Sequence, residues 1–400
     1  MTTEHTGLLP LPTPAADCLS LLEGAGHEAW LDGGFVRNCL AGRRPGHITV
    51  ATDALPERIQ QLFDDAGLEA YVSDKRILSV TLRSQAWPHS IQVSTFHRVL
   101  EHAEDGSPLR FEPAPSIQED LARRDFTFNA IAFHPRHGLV DPYRGARDIR
   151  RQTIRFVGNP EVRLAAEPLC ALRALRFAST MGFSIDPETH AALDQAASRI
   201  ASLDMPQARH QLEKFLCGSF AHDAIMGHLD FLGGILPELL PMRNFDQMSR
   251  FHCYDVLEHT AWVVQNSKAH PLNRWAALLH DSGKPECFVL DNKGRGHMPG
   301  HPEVSLSHLA TVAQRFRFPD EFTNKLKLLI RHHDDRPAAT GADVKRLYEH
   351  LGCDAELFRA ECDLMRADSL SKAEWCQMER ILITNDVEEL FERMLAEGKL

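Results

Sequence analysis

His27-Glu-Ala-Trp-Leu-Asp-Gly-Gly-Phe-Val-Arg-Asn-Cys-Leu40 decides how the first third of the chain folds. Its aromatic and apolar opening predicts a short strand over His27–Leu31. The turn Asp32-Gly33-Gly34 follows, where two glycines allow backbone amides to come close to a ligand. Phe35–Leu40 returns to helix. Working outward, Ala15–Leu22 predicts a helix, and Gly46-His47-Ile48-Thr49-Val50-Ala51-Thr52 carries a second strand over His47–Thr52. Leu55-Pro56-Glu57 opens a helix running to Gly67, with proline in the first turn, where its missing N–H does no harm. Leu68–Val72, Ile77–Leu82 and Ile91–Phe96 are β-rich. Met1–Pro14, rich in Thr and Pro, is expected to be loose.

Beyond Arg150 the apolar spacing is helical almost throughout, as at Leu169, Leu172 and Leu175 and again from Val256 onward. The expected fold class is α+β. An α/β head occupies 1–150, an all-α neck 151–246, and an all-α domain 247–400.

Composition narrows the function classes. A hydrophobic content of 43% with 25% charged residues suits a soluble globular protein, and no apolar run is long enough to span a bilayer. No Lys or Arg precedes Arg37, so no secretory or transit signal is expected. Nine scattered cysteines without CxxC pairs point to reduced thiols in the cytoplasm. The net charge of −11 argues against a surface coated for nucleic acid, yet Leu121–Thr180 holds eleven Arg and no Lys against five acids. Such a stretch can line a phosphate-binding groove or be a solvated helical face.

The second half carries an ordered series of His and Asp. Glu258-His259 is followed by His280-Asp281-Ser282-Gly283-Lys284, Gly300-His301, His332-His333 and Ala367-Asp368. Imidazoles and carboxylates together form a mixed N/O shell for divalent metals. Lys284, four residues after His280, is placed to reach a phosphate oxygen. The runs WAALLHDSGKPECF (275–288) and GHMPGHPEVS (296–305) resemble the HD phosphohydrolase superfamily. That resemblance implies metal ligands at His259, His280, Asp281 and Asp368. His301 and His333 would serve a second ion, with His332 the alternative to His333. It also implies catalytic roles for His280, Asp281 and Lys284. The cofactor would be one or two divalent ions, among Mn, Ni, Mg, Fe and Zn.

The order of motifs from the first half onward resembles class II tRNA nucleotidyltransferases, the CCA-adding enzymes and poly(A) polymerases, and the resemblance covers nearly the whole chain, because one bacterial branch also carries an HD domain. The matching segments are DGGFVRN (32–38), EDLARRDFTFNAIAF (119–133) and VDPYRGARDI (140–149). The resemblance implies nucleotide or RNA contacts by Gly33, Gly34, Arg37, Arg123, Arg124, Asp125, Asn129, Arg173 and Arg176. It also implies Asp-x-Asp on the strand after the glycine turn, where His47 and Thr49 stand instead; neither brings the charge that two Mg²⁺ ions require. Asn38 replaces the closing Asp of the first motif, and Ala166-Glu167-Pro168-Leu169-Cys170 lacks the arginine of the base-reading motif. Asp32 and Asp53 admit two readings, a rebuilt metal site or service to the turn and a helix cap.

Three functions follow. The expected one is a metal-dependent HD phosphohydrolase acting on RNA ends or nucleotides, fused to a transferase half of doubtful activity. The alternatives are an active tRNA nucleotidyltransferase adding C and A to tRNA 3′ ends, and a non-catalytic RNA-binding or regulatory protein. The expected partners are RNA, as tRNA or RNA 3′ ends, or nucleotides, with no membrane.

Overall fold

The computed structural model describes residues 9–74, 78–87, 89–102, 108–200 and 205–400. It divides into two units, Met1–Cys170 with Phe183–Ala196, and Ala171–Gly182 with Ala197–Leu400.

In the first unit, α1 (Thr13–Gly24) precedes β1 (Ala29–Asp32), α2 (Gly33–Leu40), β2 (Ile48–Thr52) and α3 (Pro56–Asp65). Then come β3 (Glu69–Asp74), β4 (Ser79–Arg83), β5 (Ile91–Thr95), β6 (His97–His102), β7 (Pro108–Pro113), α4 (Ile117–Ala122), β8 (Ala132–His134), β9 (Gly138–Val140) and α5 (Gly145–Arg150). Seven strands form one sheet in the order β3-β4-β5-β2-β1-β8-β9. All neighbours are antiparallel except β2 and β5, which run parallel with Val50 opposite Val93. The order puts β1 and β2 side by side, so the glycine turn at the end of β1 lies beside the start of β2.

The predicted strand Ile77–Leu82 appears as β4; Ile77 itself, like Met1–Leu8, falls outside the described residues. The hairpin of β6 and β7 was not anticipated, because His97-Arg-Val-Leu-Glu-His102 is too polar to show clean alternation. Trp30, Phe96, Leu121 and Val157 belong to one buried cluster, while Phe126 stacks on Phe128 and Phe156 at 5.2 and 4.9 Å. Burying such rings stabilises a core by roughly 2–3 kcal/mol each, which anchors the Arg123–Asn129 segment between them. β10 (Thr153–Ile154) pairs with β11 (Ser184–Ile185), and α6 (Pro160–Ala166) and α8 (Pro187–Ile200) complete this part.

α7 (Leu169–Met181) runs from the first unit into the second. The second unit is otherwise helical. It comprises α9 (Met205–Leu216), α10 (Ala221–Gly227), α11 (Leu229–Gly233), α12 (Val256–Asn266), α13 (Pro271–Leu279), a small hairpin of β12 (Val289–Leu290) and β13 (Gly296–His297), α14 (His301–Phe316), α15 (Asp320–His332), α16 (Gly341–His350), α17 (Ala355–Leu370) and α18 (Glu374–Ala396). Trp275 and Phe316 are fully buried, and Phe358 stacks on Phe391 at 3.9 Å. No helix among the described residues is long and apolar enough to cross a membrane.

Candidate functional site

The glycine turn is held from two sides. Gly33 has φ +59, a left-handed conformation that glycine adopts without strain. A Cβ there would lie 3.6 Å from both Arg124 Nη1 and Thr49 Oγ1, so the turn is in contact with both of those residues. Ser116 opens α4, its hydroxyl accepting from the Glu119 amide in a capping-box arrangement. The short helix then places Asp120, Arg123 and Arg124 at i, i+3 and i+4. Arg124 pairs with Asp32, and its Nη2 lies 2.9 Å from Asp120 Oδ2; Arg123 Nη2 lies 2.9 Å from Asp120 Oδ1. Burial alone would raise the Asp120 pKa, but the two guanidiniums win and hold it at about 2. Arg37 donates to Asn129 Oδ1 at 2.7 Å and to Asn38, and Asn129 donates to Asp125 at 2.8 Å.

The structure thus brings Gly33, Arg124 and Thr49 together, and joins Arg37, Asn38, Asn129 and Asp125 in one network. Asp120, which organises both arginines, was missed from the sequence, although its spacing to Arg123 and Arg124 on a capped helix was a usable signal. Arg173 and Arg176 lie on α7 in the second unit, where Arg176 packs on Phe177 at 4.5 Å and its charge lowers the pKa of His210 and Lys214 after burial has done so.

The resemblance to nucleotidyltransferases implies a group of divalent metal ions held on the strand after the glycine turn. The strand β2 does not fit that group. His47 is exposed and Thr49 donates its hydroxyl to the Asp32 carbonyl at 2.8 Å. The Asp32 carboxylate is taken by Arg124, while Asp53 accepts from the Glu28 amide and lies 3.0 Å from His27 Nδ1. Asp32 and Asp53 therefore serve the turn and a loop contact. Among the described residues, no group of three His, Cys, Asp or Glu ligand atoms converges beside β2.

The second unit does hold such a convergence. Asp281 is the hub. His259 Nε2 and His280 Nε2 lie 3.4 and 3.2 Å from its Oδ2, and His301 Nε2 and His333 Nε2 lie 3.3 and 3.5 Å from its Oδ1. Asp368 Oδ1 is 3.2 Å from His259. In every one of the four histidines, Nδ1 faces a backbone carbonyl: Ser371, Ala277, Met298 and Ile330 respectively. Such anchoring fixes the tautomer and turns each Nε2 lone pair inward, as metal-binding histidines require. His259 Nε2 and His280 Nε2 are buried with no hydrogen-bond partner, a state that a bound ion would relieve. Burial opposes ionisation of Asp281 and Asp368, yet His280 and Lys284 hold the first, and Lys372 and His259 the second, well below the usual carboxylate range.

His332, the alternative ligand, turns away to Asp335 at 2.9 Å, so His333 takes the inward place. α13 ends at Leu279, so His280 and Asp281 follow its last turn, and a separate 3-10 turn runs over Lys284–Cys287. Lys372, four residues after Asp368 and paired with it, was missed although the i,i+4 spacing was visible.

Residues 29–155 match the model of the poly A polymerase head domain. An A-adding tRNA nucleotidyltransferase of Deinococcus radiodurans is 33% identical over 268 residues, covering 64% of this chain and 60% of that protein. A CCA-adding enzyme of Geobacillus stearothermophilus is 35% identical over 345 residues, 84% of this chain and 80% of the relative. Another, of Bacillus velezensis, is 31% identical over 403 residues, covering 96% and 94%. The crystal structure of the Bacillus stearothermophilus CCA-adding enzyme in complex with CTP superposes with TM-score 0.69 at 23% identity, over 96% of this chain and 82% of that one.

These findings correct the expectation of an HD phosphohydrolase with a doubtful transferase half. The relatives from Geobacillus stearothermophilus and Bacillus velezensis, which match through both halves, are CCA-adding enzymes. A physical reason accompanies the correction. Lys284, expected to face a substrate phosphate, is 8% exposed, with its ammonium 2.6 Å from Asp281 and donating to Gln247 at 2.9 Å. The catalytic roles expected of His280, Asp281 and Lys284 rested on that reading. Glycine turn, arginine-bearing segment, sheet order and full-length similarity agree: the chain belongs to the family of CCA-adding tRNA nucleotidyltransferases.

Proposed function

We propose that this protein is a tRNA nucleotidyltransferase that adds C or A to tRNA 3′ ends, with tRNA and nucleoside triphosphates as its partners. The observation that carries the reading is the similarity to a CCA-adding enzyme across 96% of the chain at 31% identity. The head supports it with backbone amides at the Gly33-Gly34 turn and with guanidiniums at Arg37, Arg123 and Arg124 that suit triphosphate and ribose. No step is assigned to a metal at β2, where the donor set does not fit one. None of the nine cysteines forms a disulfide, which accords with work in the cytoplasm.

The same reading places one or two divalent ions in the second unit, held by His259, His280, Asp281, His301, His333 and Asp368. A bound ion would supply positive charge at the buried Asp281 and half-buried Asp368 carboxylates, and the anchored histidine rings would orient it. Asp281, within reach of all four histidines, would help to hold either ion. The mixed N/O shell suits Mn, Fe, Ni or Zn better than an all-oxygen ion.

The test is direct. Purified protein, tRNA lacking its terminal CCA, CTP and ATP should yield tRNA lengthened by one to three nucleotides. Failure with every divalent metal tried would overturn the reading.

A further inference from the structure

The segment before α12 carries a histidine that no role described above uses. His252 is held in place from three sides. The Gly296 amide donates to the Met248 carbonyl at 2.9 Å, and the Ala373 amide donates to the Phe251 carbonyl at 2.9 Å. Gln247 Oε1 accepts from Lys284 Nζ at 2.9 Å, and that ammonium lies 2.6 Å from Asp281 Oδ2. The segment is thereby tied to the hub of the cluster. The His252 ring lies 5.4 Å from the His259 ring at 85°. That separation falls inside the 5.0 to 5.7 Å that the inward-turned rings keep among themselves.

Its nitrogens set it apart. Each of the four inward histidines has Nδ1 on a backbone carbonyl, whereas both ring nitrogens of His252 are buried without a hydrogen-bond partner among the described residues. A neutral imidazole carries one N–H donor and one lone-pair acceptor, and leaving both desolvated and unmet is costly. In an apolar pocket such a ring would be packing alone. Here it borders a cavity of about 310 Å³ that is also lined by His333, Asp368 and Lys372. The ring therefore shares its space with one member of each ligand group of the cluster. Direct ligation is not what this arrangement offers. The donor atoms of His259, His280 and Asp368 lie within 4.8 Å of one another, and His252 is not one of that group. It stands one step outside, where a side chain holds a metal-bound water rather than the metal. A water takes up about 30 Å³ and needs two or more polar partners, which the cavity and the ring together supply. Four protein donors, counting Asp281, leave an octahedral ion with open positions.

We propose that His252 is a positioning residue of this metal centre. Its ring hydrogen-bonds a water that enters from the cavity and fills an open position on an ion seated among His259, His280 and Asp368. The inference rests on the reading that these residues bind a divalent ion, and it makes the centre an open one rather than a closed structural site. The probe is Mn²⁺ added to the chelator-stripped full chain, with free Mn²⁺ followed by its EPR signal. His252→Phe keeps the shape of the ring and removes both nitrogens. It should raise the Mn²⁺ Kd about tenfold or more, the usual cost of losing a group that orients a metal's ligands. His252→Gln loses the ring but keeps a donor and an acceptor, and should stay close to wild type. A packing role predicts the opposite order. In wild-type protein the bound-Mn²⁺ lines should broaden in ¹⁷O-enriched water, as a coordinated water requires. His252→Phe with wild-type Kd, or His252→Gln weakened as much as His252→Phe, each in protein of wild-type circular dichroism, overturns the proposal. So does bound Mn²⁺ in wild-type protein whose lines do not broaden. Failure of the metal reading itself is seen separately, as wild-type protein that takes up no Mn²⁺ at all.

Discussion

Arg124→Met isolates the electrostatics of the head. The guanidinium is shared between Asp32 and Asp120, whose exposures are 2% and 0%. Its own charged form is favoured because the attraction of both carboxylates outweighs burial. Removal leaves Asp120 with Arg123 but leaves Asp32 without an ion pair among the described residues. Breaking a buried pair from one side typically costs about 3–5 kcal/mol, since the remaining charge stays desolvated. The head should therefore lose about that much in urea unfolding at pH 7. Arg124→Lys should lie between, because one ammonium cannot span two carboxylates as a guanidinium fork does. Adding Asp32→Asn to Arg124→Met should recover at least about 1 kcal/mol by deleting the stranded charge. The pH dependence has a definite sign. Asp120 has a folded pKa near 2, depressed from 3.8, so its pairing stabilises fully above about pH 4 and is lost as pH falls through 2. That window corresponds to roughly 2–3 kcal/mol. A loss under about 1 kcal/mol at pH 7, with no recovery in the double variant, would refute the reasoning.

His97, 3% exposed, has its pKa lowered to about 4 chiefly by burial, so its neutral form stabilises the head above pH 6.5 and that contribution fades as pH falls towards 4; His97→Phe should flatten the stability slope over that interval. Glu361 is fully buried, neither oxygen has a hydrogen-bond partner, and burial pushes its pKa well above the ordinary value, so Glu361→Met should raise thermal stability at pH 7. A Cβ on Gly145 would come within 2.0 Å of the Thr127 carbonyl oxygen, and Gly145→Ala should destabilise the head by about 1–3 kcal/mol in the same assay. Metal analysis should find one to two divalent ions per chain, and Asp281→Asn should bring the content to near zero, because both ligand sets meet at that carboxylate.

Much of this was legible in the sequence because the informative features are local. The glycine turn, the strands from Leu68 to Phe96 and the helices after Arg150 follow from turn chemistry and periodicity. The ordered His and Asp series located the cluster around Asp281 before any geometry was known. What stayed hidden depends on long-range partners. Asp32 and Asp120 are 88 residues apart in sequence and meet only through Arg124. Lys284 had the right spacing to face a phosphate, but only the folded chain reveals that Asp281 and Gln247 capture it. Inferring the activity from the more conspicuous metal-ligand pattern gave too much weight to that unit and too little to similarity spread along the entire chain. His47 and Thr49 remain a departure that local chemistry does not explain away.

The most direct measurement is therefore single-nucleotide extension, on a sequencing gel, of tRNA ending before, within and after its CCA. The account predicts CTP- or ATP-dependent lengthening of the incomplete ends and none of the complete one, with the reaction weakened by Arg124→Met. Incomplete ends that stay unextended across Mg²⁺, Mn²⁺, Ni²⁺ and Zn²⁺, in protein shown to be folded and metal-loaded, would contradict it.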